Sequence, residues 1–293
     1  MTGTANPHSA ESSAVNRSTV STERPHAQNI DLFGMTHSGI VRTENEDQFL
    51  IASLHKTLNV HSSSLSIAEL GDLRGGAQGY LCMVADGVGG RPDGDVASGT
   101  AVRSVARYVA HCLHCYDLKE GERGEAQFLQ ELQKAMLDAD KHVREDAAGT
   151  ATTLTMVMAM WPRAYLIHVG DSRCYRLRNG VLELLSTDQT MAAALVEAKA
   201  LTPLQAEKSQ WRDVLMSALG GSETTPITVP TNIEWNDAML LCTDGLTKHV
   251  TDSELQAALQ QRHSAEQTVR DLVQLALDRG GSDNVTAIVG RLQ

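Results

Sequence analysis

The sequence is poor in positive charge. Its 25 Lys and Arg face 36 Asp and Glu, a formal net charge of −11, and no basic block interrupts the excess. Nucleic-acid binding rests on a positive footprint, so this balance argues against nucleic acid as a partner. It argues equally against adhesion to an anionic membrane. No apolar run reaches the ~18 residues that mark a bilayer-spanning helix. The N-terminus lacks an apolar core of the secretory type, so no leader is expected. Cysteines are few and odd in number: Cys82, Cys112, Cys115, Cys174 and Cys242, most of them inside apolar runs. That fits buried thiols in a reducing compartment, and a soluble cytoplasmic protein is the expectation.

Several phosphate chemistries are missing too. There is no Gly-x-x-x-x-Gly-Lys-Ser/Thr loop, so no Walker-type nucleotide site is expected. No cysteine has an arginine six residues on, so a cysteinyl-phosphate mechanism has no scaffold. Asp93-Gly94-Asp95 resembles a nucleophilic Asp-x-Asp pair but does not end a strand. No His-Glu-x-x-His is present. His111-Cys112-Leu113-His114-Cys115 lacks a second ligand pair, and Cys112 falls on an apolar helical stripe.

What the sequence does have is a recurring pattern of apolar strands that end in aspartate. Tyr80-Leu81-Cys82-Met83-Val84-Ala85 runs into Asp86-Gly87, and Gly87, Gly89 and Gly90 predict a tight turn. Ala238 to Thr243 runs into Asp244-Gly245, and Ala164 to Gly170 runs into Asp171-Ser172. Asp283-Asn284 leads into Val285 to Val289. A single Asp-Gly is commonly just a strand-ending turn. Repetition suggests instead that the ends meet as a carboxylate cluster, which bound cations make tolerable. An all-oxygen donor set selects Mg²⁺ or Mn²⁺ rather than zinc.

Residues 1–29 are Ser/Thr/Asn/Pro-rich and read as a disordered tail before a domain over 30–293. Residues 36–51 read as strand, polar turn and strand, and the turn carries Arg42 and Asn45-Glu46-Asp47. Arg42 suits bidentate phosphate binding; a surface pairing with Glu44 or Glu46 is the plainer alternative. Residues 55–78 read as a loop insertion with a short helix near Ile67 to Leu70. Helices are predicted over 96–117 and 126–146 from apolar residues at 3.6 spacing. Asn179-Gly180 predicts a hairpin, and residues 188–217 a helical flap. Thr251-Asp252-Ser253-Glu254 is a capping box, and Ser264 caps a last helix. Antiparallel hairpins with inserted helix pairs indicate an α+β fold.

Taken in order, Arg42-x-x-Asn45-Glu46-Asp47, Val84-Ala85-Asp86-Gly87-x-Gly89-Gly90, Gly149-Thr150-x-Thr152, Gly170-Asp171-Ser172-Arg173, Thr243-Asp244-Gly245 and Ser282-Asp283-Asn284 resemble the metal-dependent protein phosphatase family, type 2C (PPM), in its compact bacterial form. The resemblance implies an α-β-β-α sandwich, two antiparallel sheets flanked by helix pairs. It implies two tightly bound Mg²⁺ or Mn²⁺ ions and a weaker third. Asp86 would bridge the pair, Asp244 and Asp283 would complete one ion, and the Gly87 carbonyl the other, with Glu46 and Asp47 reaching it directly or through water. Asp171 would hold the third ion with Asp244. Arg42 would take the substrate phosphate, and Asn45 and Asn284 would support the ligands.

The implied activity is hydrolysis of phosphoserine and phosphothreonine in proteins by metal-activated water, in signalling that reverses a Ser/Thr kinase. The implied partners are that kinase and its substrates, and a monomer is expected. Departures from the pattern are His37, Val88, Arg91-Pro92 and Gln189, none of which removes a ligand. A dedicated phosphatase for one switch partner, or a phosphoprotein-binding module without turnover, are the competing readings.

Overall fold

The structure, a computed structural model, describes residues 23–57, 60, 62, 64, 74–88, 93–111 and 122–293. Residues 1–22 of the expected tail, the helix expected near Ile67, the Cys112 to Cys115 motif and Gly89 to Pro92 lie outside the described residues.

Among the described residues ten strands form two antiparallel sheets. They are β1 (Ile30–His37), β2 (Asp47–Thr57), β3 (Arg74–Asp86), β4 (Leu154–Met160), β5 (Arg163–Val169), β6 (Arg173–Arg178), β7 (Val181–Leu184), β8 (Ile227–Asn232), β9 (Ala238–Cys242) and β10 (Val285–Leu292). One sheet has the order β1-β10-β9-β6-β7, the other β2-β3-β4-β5-β8. The described helices are α1 (Gly94–His111), α2 (Glu122–Asp146), α3 (Met191–Glu197), α4 (Pro203–Glu207), α5 (Asp244–Thr247), α6 (Asp252–Gln260) and α7 (Ala265–Asp278). Among the described residues no helix is long and apolar enough to cross a membrane.

The apolar pattern explains the layering. Strands buried on both faces read as continuous apolar runs, because successive side chains point to opposite sides. In β3, Leu81, Met83 and Ala85 face the helices α1 and α2, where they meet Val105, Leu132 and Met136. Cys82 and Val84 face the other sheet, against Leu241 and Ile288. Beyond that sheet, Leu240, Val285 and Val289 pack on Leu255, Leu272 and Val273 of α6 and α7. This is the expected α-β-β-α sandwich.

Local signals act as read. Asn179 and Gly180 take φ of 51° and 79° and join β6 to β7. The Thr251 and Glu254 side chains cap α6 reciprocally. The Ser264 hydroxyl accepts from Gln267 N at the start of α7. Three expectations change. Residues 23–29, read as tail, are held against the sandwich: Arg24 Nη2 donates to the carbonyls of Ala77 and Gln78 at 3.0 and 3.2 Å. The 55–78 insertion begins and ends as strand, since β2 and β3 continue pairing past bulges near His55; ladder hydrogen bonds outweigh the weak strand propensity there. The flap holds only the short α3 and α4, separated by Lys199 at φ 58° and by Thr202-Pro203.

Leu132 is fully buried between α2 and its sheet. Leu132→Ala should lose about 2–5 kcal/mol in urea denaturation with an unchanged m-value. Val181→Ala, at a side chain 67% exposed, should change stability by less than ~0.5 kcal/mol. Similar losses for both would contradict the layering.

Candidate metal centre

One end of the sandwich collects the strand termini. Asp47 opens β2 directly across the ladder from Asp86, the last residue of β3. Asp244 follows β9, Asp283 precedes β10, and Asp171 follows β5. Opposed like charges repel, so each carboxylate needs something to hold it.

Threonine hydroxyls hold Asp86 and Asp47. Asp86 N donates to Thr153 Oγ1 at 3.0 Å, and the Asp86 carbonyl accepts from Thr152 Oγ1 at 2.9 Å. Asp47 Oδ2 accepts from Thr243 Oγ1 at 2.8 Å and Thr286 Oγ1 at 2.6 Å. Thr286 in turn shares a hydrogen bond with Thr36, which accepts from Asn45 Nδ2. Asn284 pins the same loop, accepting from Glu46 N at 2.8 Å and donating to the Ser38 and Glu44 carbonyls.

The glycines of the Asp-Gly pairs stand at close backbone approaches. A Cβ on Gly245 would strike the Asn284 carbonyl, and one on Gly87 the backbone of Gly94. A Cβ on Gly94 would strike the Glu46 carboxylate. Gly87 N donates to the Glu46 carbonyl, which also accepts from Ser98 Oγ at 2.6 Å. Gly39, at φ 79°, lets the loop carrying Arg42 pass over the Asp283 backbone.

Two cationic side chains enter the cluster. Lys248 Nζ lies 2.7 Å from Asp244 Oδ2 and 2.8 Å from Asp283 Oδ2. Arg42 Nε lies 2.9 Å from Asp283 Oδ1 rather than beside Glu44 or Glu46. These partners hold the Asp283 carboxyl below its usual range against its own burial. The other carboxyls go the opposite way. Burial, reinforced by Asp47, Asp244, Asp171 and Asp283, raises Asp86 well above its usual range. Burial raises Asp47 to about 7 against the two threonine hydrogen bonds. It raises Asp171 to about 8, with Asp244 and Asp188 adding to the effect. Burial raises Asp244 despite Lys248, and raises Glu46 at the rim.

The flap is tied to this end. Gly170 N donates to Gln189 Oε1, and Gln189 N returns a bond to the Gly170 carbonyl, each at 2.8 Å. Arg173 grips Asp188 through Nε and Nη2. His37 Nδ1 accepts from Gly39 N in the turn, and Val88 stands exposed after Gly87.

The expected carboxylates are therefore neighbours. Among the described residues no three of them already stand as a closed ligand set, and Lys248 and Arg42 lie on the Asp283 oxygens. Divalent cations nevertheless fit the donors. Asp47 Oδ1 and Asp244 Oδ1 are buried with no hydrogen-bond partner, and an orphaned carboxylate oxygen asks for a cation. Sequence reasoning missed Thr243, Thr286, Ser98, Asp188 and Lys248. Only Lys248 carried a local signal, its i,i+4 spacing from Asp244.

A family model described as protein phosphatase 2C matches residues 70–288. The serine/threonine protein phosphatase PstP of Mycobacterium tuberculosis is 35% identical over 215 residues, which cover 71% of this chain and 40% of that protein. The chain thus spans well under half of that relative. The serine/threonine phosphatase stp of Listeria monocytogenes is 30% identical over 71% of this chain and 83% of its own length. The crystal structure of M. tuberculosis PstP matches with a TM-score of 0.70 at 30% identity, over 90% of this chain and 99% of that one. The PstP catalytic domain in complex with two manganese ions matches at 0.67 and 29%, over 89% and 97%.

The raised carboxyls set a pH dependence. A folded-state pKa above the usual ~4 means that the folded protein holds more protons than the unfolded chain. With chelator present, stability should therefore fall as pH rises from ~4 towards the values of about 7 and about 8 at Asp47 and Asp171. The depressed Asp283 acts below that window and the raised Lys248 above it. Calorimetry in EDTA should show a lower Tm at pH 8 than at pH 5.5, a smaller gap with Mn²⁺, and a flatter slope in Asp86→Asn. A Tm that climbs with pH in EDTA would overturn this electrostatic picture.

Proposed function

This chain belongs to the protein phosphatase 2C family, and from that premise we propose that it hydrolyses phosphoserine and phosphothreonine esters in proteins at the carboxylate end of the sandwich. The observation that carries the reading is the pair of buried, unpartnered oxygens, Asp47 Oδ1 and Asp244 Oδ1, inside a carboxylate cluster. Bound Mg²⁺ or Mn²⁺ supplies an acidified water and positive charge for the phosphoryl oxygens.

The chain's own residues do the rest. Asp86, Asp244 and Asp283, with the Gly87 carbonyl, Glu46 and Asp47, hold two cations. Asp171 and Asp244 hold a weaker third. Thr243 and Thr286 fix the Asp47 carboxylate so that its free oxygen faces the cluster. Arg42 is half-exposed at the rim. It would bind the substrate phosphate, since its planar fork suits that oxyanion. Ile40 and Val41, 64% and 66% exposed beside it, offer apolar contact to residues flanking the phosphoester. Val88 has no proton to give, and His37 Nδ1 is engaged in its turn. We infer that water in the site, rather than a histidine, supplies the proton to the leaving oxygen. The net charge of −11 is offset locally by the cations, since distant charges are screened. The substrates are products of a Ser/Thr kinase, and the setting we infer is the cytoplasm, with a monomer as the working unit.

The deciding assay is phosphate release from a phosphothreonine peptide with and without Mn²⁺. Asp86→Asn and Asp244→Asn should each lose at least ~10³ in kcat. Full turnover in excess chelator would sink the metal-dependent reading, and no turnover even with Mn²⁺ would leave the phosphoprotein-binding one.

Asp171→Ala should act differently. We expect a shift in the Mn²⁺ concentration needed for activity, with two ions still seen by calorimetric titration. Loss of all metal binding would contradict the placement of Asp171 at the weaker site.

A further inference from the structure

The opposite end of the sandwich holds a cavity that the phosphatase reading does not use. It lies between the sheets and measures about 110 Å³. Leu32, Leu241 and Ile288 line it from one sheet, and Cys82, Val157 and Ala159 from the other. From Tyr80 at its wall to Asp86 the strand β3 advances six residues, on the order of 20 Å. Near the metal end, Phe49 and Ile51 help fill the space between the sheets. Towards the far end small residues, Gly79, Ala159 and Gly290, stand at the wall and the gap stays open.

A strap borders the mouth. Arg24 and Pro25 line it, and Arg24 Nη2 is anchored on the Ala77 and Gln78 carbonyls. Trp235 Nε1 donates to the Glu23 carbonyl at 3.1 Å, and the Trp235 ring lies edge-on to Trp161, 6.1 Å between centroids.

We propose that this cavity is a binding site for an uncharged apolar molecule about the size of one aromatic ring. Apolar cavities of roughly 150 Å³ stay dry and admit benzene or xenon, and this one is of that order. The charged side chains at the wall are engaged elsewhere, save for Arg291 Nε, which is buried without a partner while its Nη1 and Nη2 donate to the Leu259 carbonyl and Thr268 Oγ1. Asp237 is bound to Arg178 at 2.6 Å, and the Arg24 guanidinium serves the strap. Burial pushes the Cys82 thiol up to about 12, so it is an apolar neighbour and not a nucleophile. An empty cavity weakens the fold because its lining lacks contact partners, so an occupant that fits stabilises the folded state by linkage. The inference is independent of the proposed catalysis.

The test is thermal denaturation of the full chain, with EDTA, in buffer saturated with benzene. Benzene should raise the Tm of the native protein. It should leave Ala159→Leu unmoved, because the added side chain fills the space. In xenon-pressurised crystals the native protein should show a peak between Val157, Leu241 and Ile288. An unchanged native Tm, or an equal shift in Ala159→Leu, overturns the proposal. If Ala159→Leu does not fold, the xenon map decides: a peak at that position supports the site, and its absence rejects it.

Discussion

Mutual repulsion among carboxylates gathered at one end of a buried sandwich is the constraint on which the rest depends. Burial raises the carboxyls of Asp47, Asp86, Asp171 and Asp244, whereas at Asp283 it is outweighed by Lys248 and Arg42. A cluster of this kind opposes folding unless protons, protein cations or metal ions offset it. The fold uses hydroxyl donors and two basic side chains. Thr243 and Thr286 satisfy one oxygen of Asp47, while Lys248 and Arg42 satisfy Asp283. What they leave unsatisfied, one oxygen each on Asp47 and Asp244, is where a hard cation gains most.

The same constraint accounts for the backbone around the site. Carboxylates from both sheets meet only if the strand ends and their loops approach closely, and the glycines stand at those approaches. Gly245 abuts the Asn284 carbonyl, and Gly94 abuts Glu46. Asn45 and Asn284 then bind the loop between β1 and β2 to the sheet that contains β1 and β10. The flap joins this frame through Gln189 at Gly170 and Asp188 at Arg173. A segment with little regular structure thus holds a defined position beside Asp171. The opposite end carries no such charge, and its small wall residues leave a gap that a strap borders.

The sandwich itself was largely legible in the sequence. Continuous apolar runs marked the buried strands, the 3.6-residue spacing marked α1 and α2, Ser264 marked α7, and Asn179-Gly180 marked its hairpin. These are local signals, set by side-chain direction and by which backbone angles glycine and asparagine tolerate. The extension of β2 and β3 into a polar, Gly-rich stretch was not legible, because ladder pairing rather than local propensity keeps it as strand. Nor was the docking of residues 23–29, whose partners at Ala77, Gln78 and Trp235 lie far along the chain.

For the site, the candidate residues were readable in the sequence. An aspartate at the end of each apolar strand is a local pattern, and an all-oxygen donor set implies hard cations. Only the tertiary structure decided how those residues are held. Thr243 and Thr286 meet Asp47 across 196 and 239 residues of chain. Arg42 lies on Asp283 and not on its near neighbours Glu44 and Glu46. The reason is physical: residue type fixes charge and donor capacity, but hydrogen bonds and Coulomb energies depend on distance in space, and folding alone sets those distances.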